Sequence, residues 1–250
     1  MSPPCWRISP ATESSSLVSC RAAALPPSEN TRWTQYYIAA PTDTPRHTLR
    51  WGSDGTDQVL VYTKPKFPEY QDLLHLQMPG DGAYFVAFYP RKRDLSAPTF
   101  STLGNGLIIK VSGDFGTDHG FLSALDAAAS GEGVSFKGTV GSVQDRKSGL
   151  VLSLGAKGEV RYQTFGLAAD FAASLRIKEK QLTLELPEKV IDGDKTLQPM
   201  IPFPGGAVTL TVPGKWTLTR PAEGLQLAKT TAAWTLTVPA GIRTVVLTAQ

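Results

Sequence analysis

Val208-Thr209-Leu210-Thr211-Val212 and Trp234-Thr235-Leu236-Thr237-Val238 place apolar residues at alternate positions with threonines between them. A period of two belongs to an extended chain, whose successive side chains point to opposite faces. Each run therefore reads as a strand with one face buried. The same signature recurs upstream at Leu107–Ser112, Gly120–Ser123, Val134–Thr139, Gly141–Asp145, Leu150–Leu154, Glu159–Thr164, Phe171–Ile177 and Gln181–Leu186. It recurs downstream and between them at Trp216–Thr219, Leu225–Ala228 and Arg243–Thr248. Spacers such as Ser148-Gly149 and Gly155-Ala156-Lys157-Gly158 suit tight hairpin turns. No stretch carries the pattern of a long amphipathic helix, and Ala124–Ser130 offers at most one helical turn of small residues. The expected fold is all-β, an antiparallel β-sandwich, built either as two packed sub-sheets or as two small β domains.

Nearer the N-terminus, strands are expected at Trp33–Ala39, His47–Trp51, Gln58–Thr63, Asp72–Gln77 and Ala83–Tyr89. The last is apolar on both faces, which predicts a central, doubly covered strand. A basic connection follows it, from Pro90-Arg91-Lys92-Arg93-Asp94 to Pro98. Residues 1–30 are rich in Ser, Pro and Ala, bury too little apolar surface to offset chain entropy, and read as a disordered or mis-started leader. Leu17-Val18-Ser19-Cys20 has the look of a lipoprotein cleavage box, but the segment before it is polar where an apolar run is required. A β-sandwich domain is then expected over 31–187. The C-terminal strands of 188–250 form part of the same sandwich or a small second unit, after a Pro-rich connection, Pro187–Pro204, with a turn at Asp192-Gly193-Asp194.

A chain of 250 residues buries roughly 70–75% of its unfolded surface, so its core needs no disulfide or metal staple. The net charge of +3 and the 19% of charged residues give no argument for a nucleic-acid partner. Cys5 and Cys20 both lie in the leader, where a disulfide would staple a tail. No apolar run approaches the ~20 residues of a membrane helix.

The three histidines, His47, His75 and His119, lack the local spacing of a metal site, and no metal or cofactor is expected. Neither Gly-X-Ser-X-Gly nor a phosphate-cradling loop occurs. No catalytic residue is assigned. The densest polar cluster is Asp114-Phe115-Gly116-Thr117-Asp118-His119-Gly120, where two carboxylates, a hydroxyl and an imidazole follow one another. Turn capping by Asp and Thr is the plainer reading of it. Arg91, Lys92 and Arg93 suit the carboxylates or sulfates of an acidic glycan, although a charged strand end is also simply solvated. Of the tryptophans, Trp234 alternates with Leu236 and Val238 and reads as core, while Trp33, Trp51 and Trp216 stand at strand ends, open to either role.

Three phrases carry a resemblance: Met78-Pro79-Gly80-Asp81-Gly82-Ala83-Tyr84-Phe85-Val86-Ala87-Phe88-Tyr89-Pro90-Arg91-Lys92 with Ala97-Pro98-Thr99-Phe100, then Gly116–Ser123, then Phe136–Gln144. Together, over residues 33–187, they resemble the C-terminal β-sandwich region of heparinase II/III-like polysaccharide lyases, which act on acidic glycans. That family sets an α/α toroid before its β layers, and its β-elimination uses Tyr, His and Asn or Arg side chains carried mostly on the toroid. Neither the toroid nor the His-rich phrase opening the family's β region is visible here. The resemblance therefore implies a non-catalytic part of such a lyase, supporting or binding acidic polysaccharide, with a separate helical catalytic domain as partner. It also implies an extracellular or periplasmic location. On that reading Arg91, Lys92, Arg93, Asp118 and His119 are the candidate substrate-binding residues. The alternatives are a free-standing carbohydrate-binding module and a structural sandwich of the cell envelope.

Overall fold

A computed structural model describes residues 85–92, 94–191 and 200–250, together with the backbone of five earlier strands. Every regular element among them is a strand. The chain divides into two compact units, Met1–Phe100 and Ser101–Gln250.

In the first unit, β1 (Arg7–Ser9), β2 (Ser16–Arg21), β3 (Arg32–Ile38) and β6 (Val86–Lys92) pair antiparallel in that order. β4 (Arg46–Gly52) and β5 (Tyr70–Leu76) form a separate antiparallel pair. Its register sets His47 directly opposite His75, a proximity that their 28-residue separation in sequence conceals. Among the described strands β6 stands at the end of its sheet order, whereas its two apolar faces suggested a central strand. Apolarity on both faces reports what covers a strand, not how many neighbours bond its edges. The basic segment also belongs partly to this strand, since Arg91 pairs with Trp33 and Lys92 with Arg32. Gln58–Thr63, Arg93 and the turn at Asp192–Asp194 lie outside the described residues.

β7 (Thr99–Leu103) leads into the second unit. There follow β8 (Ile108–Gly113), β9 (Gly116–Gly131), β10 (Val134–Arg146), β11 (Gly149–Leu154), β12 (Gly158–Tyr162), β13 (Phe165–Ala169), β14 (Ala173–Lys178) and β15 (Gln181–Glu185). After a short pair, β16 (Lys189–Ile191) with β17 (Met200–Pro202), come β18 (Gly205–Thr211), β19 (Trp216–Leu218), β20 (Gln226–Lys229), β21 (Trp234–Pro239) and β22 (Thr244–Ala249).

The organising element is β10, which is long enough to hold two different partners along one edge. Its first half, Val134–Gly138, pairs with β12, and its second half, Gly141–Arg146, pairs with β11. The sheet forks there. One arm runs β12-β13-β18-β21-β20 and the other β11-β14-β15-β22-β19. All of these pairings are antiparallel. Along its other edge β10 is bonded to β9 almost throughout, with a register shift between Gly138 and Val140. Ala124–Ser130, compatible with a helical turn by composition, is strand: Ala127–Ser130 pair with Ser135–Gly138 of β10, and residues 124–126 lie in the irregularity between the two paired stretches.

The two arms enclose one core. In one arm, Leu152, Leu175, Leu184 and Val245 are consecutive cross-strand neighbours on the inner face. In the other, Phe136, Val160, Leu167, Leu210 and Trp234 form a matching row. Both rows belong to a single buried cluster, with the partly buried Trp234 packed against it. Each fully buried Leu, such as Leu152 or Leu210, contributes roughly 1.5–3 kcal/mol of transfer free energy. Threonines and serines take the outer positions: Thr209 stands opposite Thr235, Thr217 opposite Thr248, and the Ser153 and Ser174 hydroxyls meet at 3.0 Å.

Candidate functional site

β8 and β9 are joined by a tight turn at Asp114-Phe115, so the polar cluster read as one turn is mostly strand from Gly116 onward. Strand alternation then separates its two chemical candidates. His119 points inward with Phe121, and Asp118 points to the opposite face with Leu122. Asp118 accepts two hydrogen bonds from the Arg146 guanidinium, one from Nε at 2.9 Å and one from a terminal nitrogen. Arg146 also lies 5.4 Å from the centre of the Phe115 ring. This bidentate pair closes the end of the β9–β10 ladder on the outer face.

His119 has a different setting. Only 2% of its surface is exposed, and it stands between Lys110 on β8 and Val143 on β10. The Tyr162 ring is 5.7 Å away, tilted by 47°, and its hydroxyl donates to Asp145 at 2.9 Å. Lys110 is bonded to Glu132, and the Ser112 and Thr117 hydroxyls are 3.2 Å apart. A band of polar side chains thus lines one end of the inner face. Within it, neither ring nitrogen of His119 has a hydrogen-bond partner among the described residues.

The electrostatics follow from that packing. Burial pushes the His119 imidazole below its ordinary value of 6.5, and the Lys110 ammonium acts in the same direction. The carboxylates of Glu132, Asp118 and Asp145 oppose the shift without reversing it. Burial raises the Tyr162 hydroxyl, and its bond to Asp145 raises it further. The hydrogen bond from Lys110 holds Glu132 below the usual carboxylate range.

Of the basic residues singled out in the sequence, Arg91 turns its guanidinium back to the Leu95 carbonyl at 2.7 Å. Tyr89, two residues earlier, meets Phe100 edge-on with ring centres 6.5 Å apart. Lys92 ends β6, and Arg93 is outside the description. Trp216 is buried, with its Nε1–H donating to the Pro213 carbonyl at 2.8 Å, so it is core and not a sugar platform. Trp234 is partly buried, and the Lys229 ammonium lies 5.3 Å from its ring centre. Trp33 and Trp51 are described only as backbone positions in β3 and β4.

The outer face of β10, β12, β13 and β18 carries a shallow groove of about 330 Å³ floored by Gly158, Ala168, Ala207 and Thr209. Lys137 and Glu159 line both this groove and a neighbouring depression of about 610 Å³ beside Ala128 and Ser130. Glu159 is paired with Arg161, and Lys157 with Asp170 at 3.0 Å. The groove therefore carries charges of both signs. No cluster of three metal-ligating side chains occurs among the described residues. No helix there is long and apolar enough to cross a membrane.

Lys110, Asp145, Arg146 and Tyr162 carry no signal of their own in the sequence. Each becomes a neighbour of Asp118 or His119 only through cross-strand register or across the core. Comparison with protein-family models, curated proteins and solved structures gave no match.

Proposed function

We propose that this chain is a non-catalytic β-sandwich module, related to the C-terminal region of heparinase II/III-like lyases, that supports or binds acidic polysaccharide. One observation carries the non-catalytic part of this reading. His119, Asp118 and Tyr162, the acid and base groups that cluster in the second unit, are committed within the sandwich. His119 is sealed from solvent, Asp118 is held by Arg146, and the Tyr162 hydroxyl is spent on Asp145. A general base must reach the proton it removes, and a buried imidazole does not. The polysaccharide part is supported by the sequence resemblance, by the basic residues at the end of β6, and by the open, small-residue groove beside Lys137.

The test pairs two measurements on the purified chain. Retention on an immobilised acidic polysaccharide should be salt-sensitive and fall when Arg91, Lys92 and Arg93 are replaced by Ala. Incubation with the same polysaccharide should give no unsaturated uronate. Sustained production of unsaturated uronate would sink the non-catalytic reading. Absence of retention at physiological ionic strength would leave a purely structural sandwich.

A further inference from the structure

We propose that His119 is a proton-operated lock on strand β8, neutral and sealed while that strand is docked, and releasing it when the imidazole takes up a proton. The argument starts from what stands opposite the ring. In the β8–β9 register the cross-strand neighbour of His119 is Lys110, whereas in the β9–β10 register it is Val143. Like charges directly opposite each other destabilise an antiparallel pair. An imidazolium at His119 would thus strain the β8 side of the strand and leave the β10 side without a charge conflict.

The surroundings do not offer the cation a ready home. Lys110 is a cation on β8, and its own partner, Glu132, lies in the turn between β9 and β10. Asp145 on β10 already accepts from Tyr162 on β12. Asp118, on β9 like His119 itself, faces the other side and is held by Arg146. The Ser112 and Thr117 hydroxyls bond each other. A protonated ring carries two N–H donors, and neither nitrogen meets an acceptor among the described residues. Solvating it requires the wall to open. β10 is bonded to β9, β11 and β12, so it is anchored along both edges. β8 is held by β9 on one edge and by the short β7 on the other, and among the described residues no strand pairs with β7 beyond it. β8 is therefore the less anchored of the two, although its Ile108 and Ile109 are buried.

The direction of the pH dependence follows. The closed state holds the imidazole below 6.5, and an open state returns it to that ordinary value. The open state therefore binds the extra proton between 6.5 and the lower closed-state value. Closure is fully favoured above pH 6.5 and is weakened as pH falls below it. One linked proton changes the opening equilibrium by at most about tenfold per pH unit.

Backbone amide exchange, corrected for the intrinsic pH dependence of the chemistry, tests this on the full chain. Protection along the β8–β9 ladder should fall by up to about tenfold per unit as pH drops below 6.5, while the β9–β10 ladder keeps its protection. His119→Gln should abolish that pH dependence. Equal pH dependence in wild type and variant would overturn the lock. If the Gln variant does not fold, His47→Gln/His75→Gln leaves His119 as the only histidine, so its ring proton resonance is assigned without ambiguity. A ring titrating at or above 6.5 in that protein would also overturn the proposal.

Discussion

Gly138 and Gly158 face each other as cross-strand partners at the point where the two arms of the sandwich part. A β carbon at Gly158 would lie 2.5 Å from the Lys137 carbonyl oxygen, and one at Gly138 would lie 2.7 Å from that of Lys157. Backbone has come into contact with backbone here, and Gly138 also holds a φ of +129°. At this point β10 leaves β12 and takes up β11, and its ladder with β9 shifts register between Gly138 and Val140.

Gly158→Ala should consequently destabilise the protein by about 1–3 kcal/mol, since the obstructing atom is a main-chain oxygen that cannot swing aside. Denaturant unfolding of the variant measures it. A change near zero would mean that the fork relaxes freely and is not a fixed feature of the fold.

Trp216→Ala should act on stability and not on glycan retention. The side chain is buried and its indole N–H is satisfied internally. Truncating a buried Trp costs about 3–5 kcal/mol. Thermal unfolding and affinity retention run on the same preparation separate the two effects. A variant that stays stable but loses retention would reassign Trp216 to a binding surface.

The Asp118–Arg146 pair should couple weakly despite its bidentate geometry. The two side chains are 23% and 38% exposed, which leaves solvent to screen them. A double-mutant cycle of Asp118→Asn and Arg146→Gln should give a coupling of about 1 kcal/mol or less, reduced by added salt. A coupling several times larger would mean that the pair is effectively desolvated.

Tyr162→Phe should cost about 0.5–1.5 kcal/mol by removing the donor to Asp145. The wild-type hydroxyl should also ionise above the ordinary tyrosine value of 10, chiefly because it is buried and secondly because Asp145 accepts its proton. Its stabilising contribution is present below pH 10 and is lost as pH rises through the higher folded value. Ultraviolet difference titration of wild type against the Phe variant isolates this step. A Tyr162 component at the ordinary value would argue against the internal hydrogen bond.

Much of the strand inventory was legible in the residues. The apolar–Thr alternation of 208–212 and 234–238 became β18 and β21, and Leu182 and Leu184 turned inward as their spacing implied. Where the signal was thin, the reading thinned with it. Phe165-Gly166-Leu167-Ala168-Ala169 forms β13, yet Gly and two Ala leave only Leu167 and Phe165 to mark a face. Gly141–Asp145 and Val134–Thr139 read as two strands parted at Val140, whereas β10 runs straight through with a register shift against β9. Asp118 and His119 looked like one cluster, and the strand turned them to opposite faces.

The sequence by itself determined that the chain folds into strands with one apolar face. That choice is local, set by the period of the extended backbone and by where Gly and Pro interrupt it. Only the tertiary structure decided which residues meet. Lys110 opposite His119, Tyr162 bonded to Asp145 and Arg146 clasping Asp118 all depend on register and on the fork at Gly138. A shift of one residue in any ladder would send every side chain of that strand to the other face. Register is fixed by the simultaneous packing of both arms on one core, which no single segment contains.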